Sequence, residues 1–402
     1  MQRAATLLIG GSLVLFGSPR PVLAAAKEPT TEALAQSVGA TPPARAAVLP
    51  VVPPTDPTVF ASAGPYLAGV TTLAIAASGP SKTMTAEVWY PVQPLNSRRI
   101  TTETLYDLKQ FLPPAERRSL GTQIGTVQKT GAARGERIAP GGPFPVVVFS
   151  HGFGGFTTQS AFLMTHLATW GFVVIAPDHP GRDLAAVLSG RFAFSGTADV
   201  DDLRASVTAL GRSTFRHNID LNNLAALGHS AGANTAVRWS AGEPRVQGLI
   251  VMAGGVPGMF GKLPEPMRPI LYMSADNDKI ISAQRISSAY RASRSPKRLI
   301  ALKDSGHLAF AEICVIGAGG GGTLADAERL GVKVPAVLRA LGTDGCGAPN
   351  APVTKAWPVI RSSVVAELRA IFGSGTPGFG LDQATLDTLA ARGSVESTFT
   401  IS

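Results

Sequence analysis

From residue 144 onward, short apolar runs alternate with longer amphipathic stretches. The apolar runs are rich in β-branched residues, which is typical of strands buried on both faces of a parallel sheet. Six such strands are predicted at 144–149, 172–177, 224–227, 246–252, 270–273 and 298–302. Helices are predicted at 158–170, 199–211, 231–240, 282–293 and 359–372. This alternation predicts a mostly parallel α/β sheet with helices on both faces.

The part of the chain before residue 144 has a weaker pattern. Two early strands are predicted at 70–76 and 86–90, separated by a Gly-Pro-Ser turn. Residues 95–143 are more polar, and one helix is predicted around 102–112, ended by Pro113-Pro114.

The N-terminal residues have the pattern of an export signal. Arg3 precedes a mostly apolar stretch from residue 4 to 17, and small residues near Ala24 and Ala26 suit cleavage. We therefore expect a signal peptide at 1–26, a Pro/Ala-rich linker at 27–62, one catalytic domain at 63–375 and a C-terminal tail at 376–402. The expected location is secreted, periplasmic or in the cell envelope.

Composition narrows the function classes. Of 402 residues, 45% are apolar and 16% charged, which excludes an intrinsically disordered chain. The net charge is +9, but the basic residues occur in small groups without a nucleic-acid recognition motif. The charge therefore predicts a basic surface suited to contact with an anionic surface, and no nucleic-acid partner.

Gly228-His-Ser230-Ala-Gly232 lies between a predicted strand and a predicted helix. A strand–turn–helix with the pattern Gly-x-Ser-x-Gly raises a serine hydroxyl above the sheet edge, because the flanking glycines let neighbouring backbone pass. Ser230 is the predicted nucleophile. Ala231, at the start of the helix, would direct its N–H toward a developing oxyanion.

A second Gly-rich segment, at 150–155, directly follows the strand at 144–149. Its backbone can supply a second oxyanion donor, for which we choose the N–H of Phe153. His151 in the same loop is predicted to order the loop and not to act as the base.

A carboxylate and a histidine complete the predicted triad. Asp276 and Asp278 follow the strand at 270–273, and His307 follows the strand at 298–302. The chain order Ser, Asp, His is the one expected at the carboxyl edge of such a sheet. His307 is the predicted base and Asp278 the preferred acid, with Asp276 open as the alternative and Asp304 less suited.

These segments resemble the Ser-dependent α/β-hydrolases of the predicted dienelactone hydrolase group, with bacterial platelet-activating-factor acetylhydrolase-like proteins and cutinase-like polyester hydrolases. The matching segments are 86–92, 144–155, 171–181, 228–232, 274–280 and 306–307. The resemblance implies an α/β-hydrolase fold, Ser230 as nucleophile and His307 as base, with Phe153 and Ala231 as oxyanion donors. The cutinase-like branch places its acid at the position of Asp278. The acetylhydrolase branch places it near 251–255, where this chain has no carboxylate.

The stretch after His307 allows an alternative. Residues 311–330 read as strand, Gly-x-Gly-x-x-Gly and helix, with Gly317, Gly319 and Gly322 in the dinucleotide-binding pattern. As an NAD(P)-dependent oxidoreductase, the chain would lack the acidic residue expected about 20 positions later. We prefer an insertion after the catalytic histidine, closed by a Cys314–Cys346 disulfide.

The sequence therefore predicts an exported α/β-hydrolase that cleaves carboxylic esters, whether lipid-like, short-acyl or polymeric, without metal or cofactor. Apolar pocket residues are expected from 95–130, 183–198 and 318–352. A non-catalytic interaction protein is the remaining alternative.

Overall fold

The computed structural model describes residue 49 and residues 55–76, 83–93, 103–120, 127–193, 196–258, 261–316 and 322–402. The expected signal peptide and most of the expected linker lie outside these residues. None of the described helices is both long and apolar enough to cross a bilayer.

A ten-stranded sheet forms the centre of the described part of the chain. In chain order the strands are β1 Leu67–Ile75, β2 Met84–Val92, β3 Leu105–Asp107, β4 Val127–Lys129, β5 Ala133–Arg134, β6 Phe144–Ser150, β7 Val173–Pro177, β8 Ile219–His229, β9 Val246–Met252, β10 Ile270–Ala275, β11 Lys297–Leu302 and β12 Ser397–Ile401. The order across the sheet is β12-β11-β10-β9-β8-β6-β7-β2-β1-β5, and β3 pairs with β4 separately.

Parallel pairing joins the six central strands, β7, β6, β8, β9, β10 and β11. Strands β2 and β12 add to the two sides of this block in antiparallel orientation. The predicted mostly parallel sheet is therefore confirmed, and the eight strands predicted between residues 70 and 302 are present.

Helices cover both faces of the sheet, as predicted. They are α1 Pro114–Leu120, α2 Ala161–Thr169, α3 Leu184–Leu188, α4 Ala198–Arg212, α5 Ala231–Ala241, α6 Ala283–Ala292, α7 Gly322–Arg329, α8 Ala336–Leu341, α9 Trp357–Ile371 and α10 Gln383–Ala391. Within β6, Val147 and Phe149 join one buried cluster with α2 and α9, whereas Val146 and Val148 join a second with α4, α5 and α6. The strand side chains alternate between the two layers because the side-chain period of a strand is two.

The helix predicted around 102–112 is wrong. Residues Leu105–Asp107 form β3, and Leu108–Phe111 form a short 3-10 helix whose first turn is capped by the Asp107 carboxylate. Helix α1 then begins at Pro114, because proline is tolerated in the first turn, where its missing N–H has no partner to lose.

The folded domain extends beyond both expected boundaries. Phe60, in the expected linker, is buried with its ring centroid 5.1 Å from that of Trp170. At the other end, residues of the expected tail form α10 and β12. Strand β12 pairs with β11, and Phe399 lies opposite Ile300. The β11 edge is thereby covered by the chain's own C-terminal residues.

An ion pair between the sheet and α9 provides a test of this packing. Arg298 on β11 donates through Nη1 to both carboxylate oxygens of Glu367, at 3.0 and 2.9 Å, and Glu367 is fully buried. Burial raises the pKa of Glu367, and the Arg298 guanidinium opposes that rise. We expect Arg298→Ala to lower the free energy of unfolding by about 3 kcal/mol, because it leaves a buried carboxylate without its counter-charge.

Urea unfolding of the variant and the parent protein measures this difference. Lys303→Ala is the matched control, because Lys303 pairs with Glu396 at 2.7 Å on an exposed part of the same edge. That variant should change the free energy of unfolding by less than about 1 kcal/mol. Equal losses in the two variants would contradict the assignment.

Candidate active site

Ser230 occupies a strained turn between β8 and α5. Its φ is 56° and its ψ −121°, a backbone conformation that a non-glycine residue adopts only when its surroundings impose it. The Ser230 N–H donates to the carbonyl of Met252 at 2.9 Å. A Cβ on Gly232 would collide with the Ser150 carbonyl, and one on Gly228 with the Gly232 carbonyl. The two glycines therefore allow β6, β8 and α5 to meet at this turn.

Asp278 and His307 form a buried hydrogen-bonded pair at the same edge of the sheet. The Nδ1–H of His307 donates to Asp278 Oδ2 at 2.8 Å. The other Asp278 oxygen accepts the N–H groups of Ile280 and Ile281, at 2.8 and 2.7 Å. These bonds satisfy both carboxylate oxygens and fix the orientation of the imidazole ring.

The alternative acids lie elsewhere. Asp276 is exposed, and its carboxylate accepts the N–H of Ser305 at 3.1 Å. Asp304 is also exposed and has a φ of 50°. Of the three carboxylates considered from the sequence, the geometry brings Asp278 against the ring of His307.

A buried network that the sequence did not indicate joins the base to the Gly-rich loop. His229 donates from Nε2 to the carbonyl of His307 at 3.1 Å and accepts at Nδ1 from Gln159 Nε2 at 2.9 Å. The side-chain oxygen of Gln159 accepts the N–H of Gly152 at 3.1 Å. Burial holds the pKa of His229 well below its ordinary value, which keeps the ring neutral. Gln159 has no motif that could have singled it out.

Of the two predicted oxyanion donors, Ala231 follows Ser230 in the chain, and Phe153 follows Gly152, where an added Cβ would lie 3.4 Å from the Cβ of Ser230. Ala231 is the first residue of α5, so its N–H has no carbonyl acceptor one turn earlier in the helix. Phe153 is half-buried, and its ring packs edge-on against Phe192, with the centroids 5.2 Å apart. His151 donates from Nδ1 to the Gly152 carbonyl at 2.7 Å, which fits the loop-ordering role expected of it.

An apolar cavity of about 130 Å³ opens beside His307 and Phe153. Its wall residues come from all three regions expected to supply them. Representative members are Leu108, Leu120, Leu184, Leu188, Leu324 and Leu338.

The dinucleotide pattern does not have its required setting. Residues 317–321, which include Gly317 and Gly319, lie outside the described residues, and α7 begins at Gly322. The strand predicted before them is wrong. Residues 311–316 form turns, in which the N–H groups of Val315 and Ile316 donate to the Glu312 carbonyl. The expected Cys314–Cys346 disulfide is present.

A second polar cluster lies behind β6. His179, Asp199 and Asp202 bring their side-chain ligand atoms within 4.8 Å of one another. Arg182 donates from Nε to Asp199 at 2.9 Å and from Nη2 to the hydroxyl of Ser150 at 2.7 Å. The Arg182 guanidinium thus supplies positive charge to these carboxylates. Its bond to Ser150 connects the cluster to the last residue of β6.

Comparison with known proteins agrees with this architecture. A family model described as platelet-activating factor acetylhydrolase, isoform II, matches residues 56–203, and one described as serine aminopeptidase, S33, matches residues 141–267. A solved ferulic acid esterase from Streptomyces cinnamoneus superposes with a TM-score of 0.57 at 23% identity, over 84% of this chain and 96% of that chain. The chain has the α/β-hydrolase fold.

One curated relative of this α/β-hydrolase is a bis(hydroxyethyl) terephthalate hydrolase from Streptomyces coelicolor. It is 29% identical over 173 residues, which cover 40% of this chain and 49% of the relative. The α/β-hydrolase chain thus spans about half the length of that relative. These matches all fit an esterase group of α/β-hydrolases.

Glu312 is a buried carboxyl group next to the site, and its pKa is shifted. Its carboxylate accepts from Gln128 Nε2 at 2.5 Å and from the N–H of Phe162, and its own N–H donates to the Gln159 carbonyl at 2.9 Å. Burial raises the pKa of Glu312 to about 7, against the opposing effects of these hydrogen bonds and of the Arg361 charge. Folding therefore raises this pKa above the ordinary glutamate value of 4.5.

The raised pKa gives a stability prediction. Between about pH 4.5 and 7 the folded protein binds more protons at Glu312 than the unfolded chain, so this contribution to the free energy of unfolding falls as pH rises. Glu312→Gln should remove a slope of up to about 1.4 kcal/mol per pH unit. Urea unfolding at pH 5, 6 and 7 measures it, with the exposed Glu265→Gln as control. Identical slopes in all three proteins would contradict the prediction.

Proposed function

We propose that the chain is a carboxylic ester hydrolase that uses Ser230 as nucleophile and forms an acyl-enzyme. The observation that carries the proposal is the buried Asp278–His307 pair, with its 2.8 Å bond, at the same sheet edge as the strained turn of Ser230. Across the sheet the relevant strands run β11, β10, β9, β8 and β6. The base follows β11, the acid follows β10, the nucleophile follows β8 and the Gly-rich loop follows β6, whereas β9 carries none of these groups.

Acylation begins with attack of Ser230 Oγ on the ester carbonyl carbon. Because His307 donates its Nδ1–H to Asp278, the other ring nitrogen of the neutral imidazole is free of a proton and takes the one from the serine hydroxyl. The Asp278 carboxylate stabilises the imidazolium that forms. The protonated ring then gives its proton to the alcohol oxygen as the carbon–oxygen bond of the ester breaks.

Deacylation repeats these steps with water. His307 takes a proton from the water as its oxygen attacks the acyl carbon, and returns a proton to Ser230 Oγ as the acid leaves. In both half-reactions the N–H groups of Ala231 and Phe153 would stabilise the oxyanion. Removal of one such donor typically slows catalysis by about 10²- to 10³-fold.

Two further features support this function. The cavity beside His307 is lined mainly by apolar side chains, which suits the apolar part of an ester. The curated relative is named for hydrolysis of bis(hydroxyethyl) terephthalate, a diester of an aromatic acid. A small-molecule or polymer ester is the substrate class that we propose.

The protein would act outside the cytoplasm. The leader pattern at 1–26 and the Cys314–Cys346 disulfide support export, because disulfides persist in oxidising compartments. We propose a secreted, periplasmic or cell-envelope location.

Ser230→Ala tests the mechanism. Loss of the attacking oxygen should lower kcat on p-nitrophenyl acetate by about 10⁴-fold or more. A fluorophosphonate should add covalently to the parent protein, and mass spectrometry of its peptides should place the adduct on Ser230.

Ser240→Ala is the matched control, because Ser240 lies on the same helix and donates to the Val237 carbonyl. It should keep its activity and its reaction with the probe. Full activity in Ser230→Ala, or an adduct on another residue, would overturn the proposed function.

A further inference from the structure

The segment after His307 builds one wall of the cavity. The cavity is lined by Leu324 of α7, by Leu338 and Leu341 of α8 and by Leu330, which follows α7, together with the Gly-rich loop. The side chains of these leucines offer no hydrogen-bond donor or acceptor, so a polar or charged group placed against them would lose its hydration without compensation.

Contacts on both sides hold this wall in place. Leu338 packs so closely over Gly154 of the Gly-rich loop that a Cβ on Gly154 would collide with its Cδ2. Leu324 of α7 packs against Gly342, the residue that follows α8, and this contact holds the two helices together. The Cys314–Cys346 disulfide ties the far end of the segment to the loop that follows His307.

The size of the cavity restricts its occupant. Its volume is about 130 Å³. An apolar protein cavity of about 150 Å³ lined by Leu, Ile and Phe accommodates benzene. One compact apolar group of roughly six carbons therefore fills the space.

From this geometry we infer that α7 and α8 form a specificity-determining wall. The preferred esters would carry one compact apolar group, either a phenyl ring or a chain of about four to eight carbons. This inference rests on the proposed ester hydrolysis and specifies its substrate class. The group belongs to the acid or to the alcohol of the ester, and the test treats the two sources separately.

Two ester series test the wall: p-nitrophenyl esters with acyl chains from C2 to C16, and acetates of alcohols from ethanol to hexadecanol, with benzyl acetate. In the series whose varied group enters the cavity, kcat/KM should rise roughly fourfold per added CH2, to a maximum between C4 and C8, and then fall. Leu338→Trp should lower kcat/KM at C6 at least about tenfold more than at C2, because the indole fills the space that the longer chain needs.

Val337→Trp is the matched control, because Val337 is the neighbouring residue of α8 and is 47% exposed. It should leave the chain-length profile unchanged. Flat profiles in both series, or equal effects of the two tryptophan variants, would overturn the inference. If C2 hydrolysis needs Ser230 while the profiles are flat, only the inference fails. Hydrolysis that does not need Ser230 would instead overturn the proposed function.

An independent set of hydrogen bonds gives Asp344 a different role. The Asp344 carbonyl accepts the N–H of Leu308 at 2.9 Å, and its Oδ2 accepts the N–H of Lys279 at 2.9 Å. These donors directly follow His307 and Asp278 in the chain. Asp344 is 8% exposed, so water competes little for either bond.

We propose that Asp344 is a positioning residue for the Asp278–His307 pair. Its carbonyl binds the loop that carries His307, and its side chain binds the loop that carries Asp278. Asp344→Ala removes only the side-chain bond to Lys279. An asparagine can still accept that N–H through its amide oxygen.

Kinetics of the two variants test the role. Asp344→Ala should lower kcat for p-nitrophenyl acetate by about ten- to hundredfold, with KM within about twofold, because a misplaced base slows the chemical step. Asp344→Asn should restore kcat to within about threefold. The downfield proton resonance of the His307–Asp278 bond should shift or broaden in the alanine variant and return in the asparagine variant. A lower Tm with unchanged kcat and resonance, or no rescue by asparagine, would overturn the assignment.

Discussion

The hydrogen bond from His307 to Asp278 depends on more of the molecule than any other contact at the site. It requires β10 and β11 to be neighbours in parallel register, so that the two loops leave the same sheet edge. The N–H groups after Asp278 satisfy its second oxygen, so neither oxygen of the buried carboxylate lacks a hydrogen-bond partner. Since the remaining imidazole nitrogen is aimed only when this bond holds, the geometry of the proposed reaction follows from the packing of two strands.

Gln159 and His229 form a neutral, connected network behind the site, which suits a rigid support. Gln159 uses its amide N–H on His229 and its amide oxygen on Gly152, so one side chain joins the turn at Ser230 to the Gly-rich loop. His229 in turn donates a hydrogen bond to the carbonyl of His307. Buried networks of this kind stabilise a single arrangement only when each member is satisfied, and here the tautomer of His229 meets both of its partners.

Local patterns predicted the sheet and the turn at Ser230 because each depends on neighbours in the sequence. The apolar run of β6 and the glycines around Ser230 are signals of this kind. Such patterns could not identify the acid of the triad as Asp276 or Asp278, since this depends on which of the two side chains points toward the loop after the neighbouring strand. Gln159 was missed for the same reason: its side chain bonds to Gly152 and His229, which lie in two other segments. Strand β12 pairs with the edge of β11, and residues 397–401 alone do not reveal which edge they join.

The Gly-rich run after His307 shows how a short motif misleads without its context. A nucleotide-binding turn needs a strand before it, and here the preceding residues are held in turns near the Cys314–Cys346 disulfide. The disulfide keeps residue 346 near the base, and so Asp344 can accept hydrogen bonds from both catalytic loops. Because α7 and α8 lie inside the same closed loop, the wall that limits the substrate is anchored to the residues that place the base. Substrate size and catalytic geometry therefore depend on one covalently closed segment.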